Sequence, residues 1–522
     1  MMRKVLQRLC SVMLSIVMVT GMVPASFAAD SGAKFQNGPY LLAPKTTSMV
    51  VVWESTEKVS STIAYGTDEN KLCDPIKVEI DADAPDFKGS KMNLFHYKLD
   101  NLTPGTRYYY EVKLEGGETC KASFKTLSDK PDQIRLITLS DSHIFATRKE
   151  LDQAIKEFDP DLLLHCGDMV EGTGAQAEQF SFWFQGKVDN DYIHSYPVVY
   201  SSGNHDQGGI YFDTYVYSIQ DEEYGAEVEG DSSLNYAGLH IITMNSNPWG
   251  LFQMNSEATG QQADAATIKT IDNAMNWLKK DLATDAAKNA DFRLIFMHHP
   301  VSDAYTKRYI PAVIEPGKVD LLLSGHTHSY ARAVSSNPAV GAGTIYLTHQ
   351  DARTYNKKGD FFYITSTPGS GVLDVKNYGA TAEGQDSKVA NETLVAKDKQ
   401  QLSWSDISIS PNEVLYNGEV TVTAKVTNNG KGLAAAVIPV QDNGKTRYLY
   451  QFKDGVVTLD PGKSTTLTGT LRMESLGTHT LKLADKTATV NVKYRPATFD
   501  YTNIRTQQGN GTTSDMNSNI LH

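Results

Sequence analysis

Five short stretches of this 522-residue chain bring together side chains that bind metal ions or move protons: Asp141-Ser142-His143, Gly167-Asp168, Gly203-Asn204-His205-Asp206, His298-His299-Pro300 and Gly325-His326-Thr327-His328. Their donors are imidazole nitrogen, carboxylate oxygen and amide oxygen, with no thiolate. Such a set is hard to borderline and suits Zn, Mn or Fe. Singly, each stretch has a plainer explanation: a helix N-cap with a stray imidazole, a turn, a loop, a strand terminus. What decides between the readings is the sequence that leads into each one.

An apolar run of strand length leads into all five. Residues 134–140 run into Asp141, 161–165 into Gly167-Asp168, 196–202 into Gly203, 292–297 into His298 and 319–323 into Gly325, which is expected to let the chain turn sharply. Five of the thirteen His (143, 205, 298, 326 and 328) therefore fall at strand ends of one domain, with His299 beside them. Helical runs alternate with the strands. Residues 148–158 carry Leu151, Ile155 and Phe158, and Ile268, Ile271, Met275, Leu278 and Leu282 repeat at three and four residues. Together with a further strand at 240–245, the pattern predicts an α/β domain of two or three layers whose sheet is buried on both faces. Ligands in such sheets bind where strands end.

On either side the pattern is all-β. Residues 34–126 hold short alternating strands at 48–54, 61–65, 96–99 and 106–113 with a turn at Thr103-Pro104-Gly105, which predicts an antiparallel sandwich. Residues 406–492 return to alternation around Asn428-Asn429-Gly430 and read as a second, immunoglobulin-like sandwich in which His479 is a surface residue at a strand end. Residues 376–401 are polar enough to be linker or peripheral loop. The aromatic and acidic stretch 207–230 is either an entrance to the site or an ordinary surface insertion.

Gly38-Pro39-Tyr40-Leu41, MVVVWES, LDNLTPGTRYYYEVK and Ser123-Phe124-Lys125-Thr126 together resemble the fibronectin type III-like domain that precedes the catalytic domain of purple acid phosphatases. The ordered set DxH, GD, GNHD, HHP and GHTH resembles the calcineurin-like metallophosphoesterase superfamily over about residues 134–330. The resemblance implies a multidomain chain in which an α/β metallophosphoesterase sandwich domain is flanked by two all-β (fibronectin III or immunoglobulin-like) sandwiches. Its parts are a signal peptide at 1–29, the N-terminal sandwich at 30–129, the catalytic domain at 130–396, the C-terminal sandwich at 397–495 and a flexible tail at 496–522.

Carried over residue by residue, the resemblance implies two metal ions, of Fe, Mn or Zn. Asp141, His143 and His328 would hold one, Asn204, His298 and His326 the other, and the Asp168 carboxylate would bridge them. Two cations about 3.5–4 Å apart lower the pKa of a shared water and stabilise charge on attacking and leaving oxygens, which suits hydrolysis of phosphate esters. His205 would be a catalytic residue beside the phosphate, as hydrogen-bond donor or leaving-group acid, with Asp206 fixing its tautomer. His299 would touch substrate or support the loop. One position departs from purple acid phosphatases. Their iron-binding Tyr, three residues after the Asp of Gly-Asp, is Glu171 here, and His143 supplies an imidazole that they lack, so a phenolate is exchanged for an imidazole.

Composition sets the compartment and excludes some partners. Arg3, Lys4 and Arg8 precede an apolar run from Leu9 to Met22 and then small residues, the pattern of a secretory signal peptide cleaved near Ala28, with Val23-Pro24-Ala25 as a second candidate. The run is shorter than the roughly 20 residues that span a bilayer, so no transmembrane anchor is expected after cleavage and the protein should be secreted or at the cell surface. Removing those three basic residues takes the formal charge from −12 to −15, which disfavours nucleic acid as a bulk partner. Of four Cys, Cys10 leaves with the signal, Cys73 and Cys120 are placed to pair in an oxidising compartment, and Cys166 reads as a small buried residue. The leading reading is a phosphatase. Its alternatives are a phosphodiesterase or nucleotidase with the same site, and a surface binding protein with a vestigial catalytic domain.

Overall fold

Apolar residues in the central strands occur at consecutive positions, so both faces of each strand must be covered. A computed structural model describes residues 25–28, 32–82, 86–87, 90–143, 149–172, 177–186, 190–207, 210–248, 264–301, 304–314, 319–335, 343–350, 360–379, 388–397, 401–449 and 457–494. The apolar signal run, Cys10 and the tail at 496–522 lie outside them. The strands form two six-stranded sheets. One has the order Val198–Tyr200, Leu162–His165, Ile134–Leu139, Asp360–Ser366, Val372–Gly379, Lys388–Ala396; the other runs Ser232–Tyr236, Leu239–Thr243, Phe292–Phe296, Leu321–Ser324, Ile345–Thr348, Ala331–Val334. The first three strands of the former are parallel, as are the second to fifth of the latter.

Alternate side chains of each strand enter different cores. Leu136, Leu162 and Leu164 join Ile241, Leu294, Phe296, Leu321 and Leu323 in one cluster between the sheets. Ile137, Leu139 and Leu163 pack outward with Leu151 and Ile155 of the helix Lys149–Phe158. On the far side, Ile242, Ile295 and Leu322 meet Ile271, Met275 and Leu278 of the helix Ala265–Leu282. Full burial of a Leu or Ile side chain stabilises by roughly 1.5–3 kcal/mol, so slipping any strand by one residue would exchange two filled cores at once. The layering is helix, sheet, sheet, helix. Alternation of strands and helices along the chain could not reveal that the strands divide between two sheets.

Two stretches differ from expectation. Part of 376–401 is strand, not linker or loop: Val372–Gly379 and Lys388–Ala396 form an antiparallel pair completing the first sheet. Its buried face takes Asn377 and Thr393 as well as Leu373, Val375 and Val395, which hides the apolar alternation. Within 207–230 the described residues are mainly helical. Helical residues continue from Tyr211 to Tyr224 through a π turn, Asp213–Tyr217, and Gly225 ends them at φ +69°.

The N-terminal residues form a five-stranded and a three-stranded sheet around Trp53, Phe95, Tyr110 and Phe124. In Met49–Ser55, Met49, Val51 and Trp53 face that core while Val50 and Val52 face the catalytic layers, so the strand is buried throughout. The π turn completes the attachment. Tyr215 donates to Glu54 Oε2 (2.8 Å) and accepts from Asn37 Nδ2 (3.1 Å), and Tyr40 donates to the Tyr215 carbonyl (2.7 Å). Ser26–Ala28 pairs antiparallel with Thr119–Lys121. Cys73 is exposed and Cys120 faces the sandwich core; both are free thiols, so the pairing expected of them does not occur.

The chain divides into two compact units, one of Met1–Trp404 with Lys425–Val437 and Lys453–Thr466, the other of Ser405–Ala424, Ile438–Phe452 and Leu467–His522. The second unit holds a five-stranded sheet of order Glu413–Leu415, Lys486–Lys493, Gly477–Leu483, Ile438–Asp442, Lys445–Leu449. His479 is not a surface residue there. It is buried within its strand, with Nδ1 2.6 Å from Asp442 Oδ1 and Nε2 3.0 Å from the Ser475 carbonyl.

The segment after the π turn carries buried carboxyls that lack positive partners. Asp231 accepts from Asn245 N (2.8 Å) and Asp221 from Gly230 N (2.7 Å), while Asp231 Oδ2 and Asp221 Oδ1 have no hydrogen-bond partner among the described residues. Burial pushes Asp231 well above the usual carboxyl range; burial, with Glu229 and Asp213 nearby, pushes Asp221 up to about 6. Because the folded state holds these protons more tightly than the unfolded chain, their contribution favours folding at low pH and is lost as pH rises, from about 4 through about 6 for Asp221 and above the usual carboxyl range for Asp231. Asp231→Asn and Asp221→Asn are therefore expected to match wild type in thermal unfolding near pH 4 and to exceed it at pH 7.5. A constant difference between variant and wild type across that range would refute the assignment.

Candidate active site

All five motif stretches lie just past the carboxyl ends of parallel strands, three on one sheet and two on the other. Backbone bonds hold these loops together: Asp141 N to Gly167 O (2.9 Å), His143 N to Asp168 O (2.9 Å) and Gly325 N to His298 O (2.9 Å). Five of the expected ligands, Asp141, His143, Asp168, His326 and His328, have φ between +49° and +71°. Left-handed backbone is unfavourable for side chains of this kind unless the surroundings enforce it, and its concentration here marks the site independently of the motifs. Gly325 has a role other than the one expected. A Cβ there would stand 1.9 Å from Ser140 Oγ and 2.2 Å from Asp141 Oδ2, so glycine makes room for the carboxylate while His326 and His328 take the unusual angles.

The side chains gather in two sets. Ligand-competent atoms of Asp141, His143, Asp168 and His328 lie within 4.8 Å of one another, as do those of His298, His299 and His326. Asn204 Oδ1 joins the second set, 2.9 Å from His326 Nδ1 and 3.1 Å from His298 Nε2. Asp168 belongs to both, since its Oδ2 is 3.1 Å from His298 Nε2. The rings are oriented from behind. His298 Nδ1 faces the Cys166 carbonyl (2.9 Å) and His143 Nδ1 the Val170 carbonyl (3.1 Å), which leaves each Nε2 as the lone-pair atom. His143 Nε2 then points at His328 Nε2 across 3.4 Å. Nitrogen lone pairs converge in this way around a cation, so the donors fit divalent metal.

Electrostatics agree with that fit. Burial pushes the Asp141 carboxyl up, but the hydrogen bond from His328 and the charge of His298 hold it below its usual range; His298 does the same for Asp168. Burial lowers His298, and Asp168 more than reverses this, raising it to about 9. Burial dominates at His326, which falls to about 4.

Glu171 occupies the place of the missing phenolate, and its Oε2 lies 3.2 Å from Nδ1 of His143, so the exchanged carboxylate backs the exchanged imidazole. The expected partner of His205 is corrected. Asp206 is buried and accepts backbone N–H bonds from Gly203 (2.7 Å), Met169 (2.8 Å) and Asp168 (2.9 Å), which makes it the brace of two ligand loops. His205 Nδ1 instead meets the Glu171 carbonyl at 2.5 Å. His299 is fully buried beside His298 and His326. Cys166 is buried and offers its carbonyl, as a small structural residue should.

Sequence reasoning missed three supporting residues. His165 Nε2 is 3.0 Å from Ser142 Oγ, between Asp141 and His143. Tyr217, in the π turn, accepts from Ser202 N (2.8 Å) directly before Gly203-Asn204. Ser246 holds His299. Of these only His165, the last residue of its strand, carried a signal in the sequence.

Comparison with known proteins settles the class. Residues 134–330 match the calcineurin-like phosphoesterase family model and residues 39–126 the purple acid phosphatase N-terminal domain. The chain carries a calcineurin-like metallophosphoesterase domain behind a purple acid phosphatase N-terminal domain. Purple acid phosphatase 21 of Arabidopsis thaliana is 24% identical over 59% of this chain and 69% of its own length, and purple acid phosphatase 22 of the same plant is 24% identical over 70% and 80%. The structure of PhoD is similar in fold, with a TM-score of 0.50 at 11% identity, covering 70% of this chain and 91% of that one. The metallophosphoesterase domain makes this a metal-dependent phosphoric ester hydrolase using divalent metal. Among the described residues no helix is long and apolar enough to cross a membrane.

Proposed function

We propose that the protein is a secreted phosphatase of phosphate monoesters with a two-ion site: Asp141, His143 and His328 on one ion, Asn204, His298 and His326 on the other, and Asp168 on both. The observation that carries this is the position of Asp168, whose carboxylate closes both donor sets. The ions, when bound, supply Lewis acidity toward phosphate oxygen and a lowered pKa for bound water. The chain supplies the rest. Asp168 and Asp141 offset the ions' charge within a buried site, and Asp206 holds the Gly167–Asp168 and Gly203–Asn204 loops at fixed spacing. His205, partly exposed at the rim with Nε2 4.0 Å from Asp168 Oδ2 and Nδ1–H on the Glu171 carbonyl, would act with both ring nitrogens protonated, presenting Nε2–H to the phosphate and passing that proton to the leaving oxygen.

Export follows from the N-terminal pattern, and we place cleavage after Ala25, because Ser26–Ala28 then remains to pair with Thr119–Lys121. The division into a catalytic domain at 130–396 between an N-terminal sandwich and a C-terminal one at 397–495 belongs to this reading, with the N-terminal sandwich beginning at Ser26. Hydrolysis of p-nitrophenyl phosphate and bis-p-nitrophenyl phosphate by protein stripped of metal and reloaded with Mn, Zn or Fe tests it. Metal-dependent turnover is expected on the monoester. Faster turnover of the diester would make the protein a phosphodiesterase, and none on either would make it a binding module.

A further inference from the structure

His299 is unexplained by the site so far. It has no solvent exposure, yet it stands among donors. Its ring is fixed on one side, where Ser246 Oγ lies 2.9 Å from Nδ1 and also accepts the His299 backbone N–H at 3.0 Å. The other nitrogen, Nε2, is buried and has no hydrogen-bond partner among the described residues. A buried polar atom without a partner is unfavourable and calls for one. The ring centroids of His326 and His298 are 4.5 and 5.0 Å away, and the ligand-competent nitrogens of all three lie within 4.8 Å of one another. Neither neighbouring imidazole satisfies Nε2.

We propose that His299 Nε2 is a third imidazole donor to the ion held by Asn204, His298 and His326, an assignment that rests on the two-ion reading above. Ser246 then acts as the residue behind a ligand usually does, accepting Nδ1–H so that the Nε2 lone pair is presented. The two ions thereby become unequal. One meets two carboxylates and two imidazoles; the other meets three imidazoles, an amide oxygen and the shared carboxylate. Nitrogen-rich surroundings favour Zn or Fe(II) over Mg or Mn, so the second position is the more selective of the two.

Metal binding, not turnover, tests this. Wild type, His299→Gln, His299→Ala and Asp168→Ala are loaded with Zn, dialysed against graded chelator, and examined for ions retained per chain and, by zinc X-ray absorption, imidazoles per ion. His299→Gln and His299→Ala are expected to hold one ion as wild type does and to lose the other at chelator concentrations at least about tenfold lower, with fewer imidazoles per zinc. The glutamine variant keeps a polar side chain and decides the matter if the alanine variant fails to fold. Two ions held with wild-type affinity and imidazole count would overturn the assignment, and so would equal weakening of both ions. Retention of both ions by Asp168→Ala would instead sink the bridged two-ion reading, whatever His299 does.

Discussion

Asp168→Ala is expected to lower turnover of a phosphate monoester by about 10³-fold or more, because the several kcal/mol supplied by bound ions depend on their being held as a pair. The side chain is 2% exposed, accepts the His205 backbone N–H at Oδ1 (2.9 Å) and lies against His298 at Oδ2 (3.1 Å). Its removal takes a negative charge from between two donor sets and leaves His298 without the partner that raises its proton affinity, so a proton competes less with metal there but the ion loses its shared oxygen. Metal analysis and kcat are to be read together. Asp168→Asn keeps the shape and the acceptor while removing the charge; it should recover folding stability but little activity. Full activity in either variant would remove the bridging role.

His205→Ala is expected to lower kcat by about 10²–10³-fold while leaving metal content unchanged, the range typical of a positioned proton donor. The side chain is held by the Glu171 carbonyl rather than by a metal-facing bond, and 35% of it is exposed. Comparing leaving groups separates its two possible duties. If Nε2–H protonates the departing oxygen, the loss is far larger for an alkyl phosphate than for p-nitrophenyl phosphate, whose phenolate leaves without help. Equal losses on both substrates would reduce His205 to a hydrogen-bond donor for phosphate, and a KM effect alone would make it a binding residue.

The strand-end motifs are legible because each follows a mainly apolar run, and a run that must be buried on both faces has few places in a fold. Their gathering at the carboxyl ends of strands in two sheets follows from that placement. What the chain hides is of another kind. His165, Tyr217 and Ser246 act through hydrogen bonds to residues 23, 15 and 53 positions away, and no local spacing encodes such contacts. Asp206 looked like a partner for its neighbour His205, yet adjacent residues in a turn point apart, and its carboxylate reaches Asp168 and Met169 instead. Val372–Gly379 and Lys388–Ala396 escaped because Asn377 and Thr393 sit on the buried side. His479 was misplaced for the converse reason: a single imidazole among Thr and Lys looks solvated, although Asp442 from a neighbouring strand encloses it.

The π turn bears on how such chains can be recombined. Tyr215 faces Glu54, Asn37 and Tyr40, and two residues later Tyr217 faces Ser202 at the base of the Asn204 loop. One helical insertion thus serves as a keystone between the amino-terminal module and the catalytic rim. A chimera that swaps in a foreign sandwich at residue 129 would carry a mismatched seat for Tyr215, and the disturbance would be delivered to Asn204. Exchange as an interchangeable cassette demands that Asn37, Tyr40 and Glu54 travel together with the stretch 211–224.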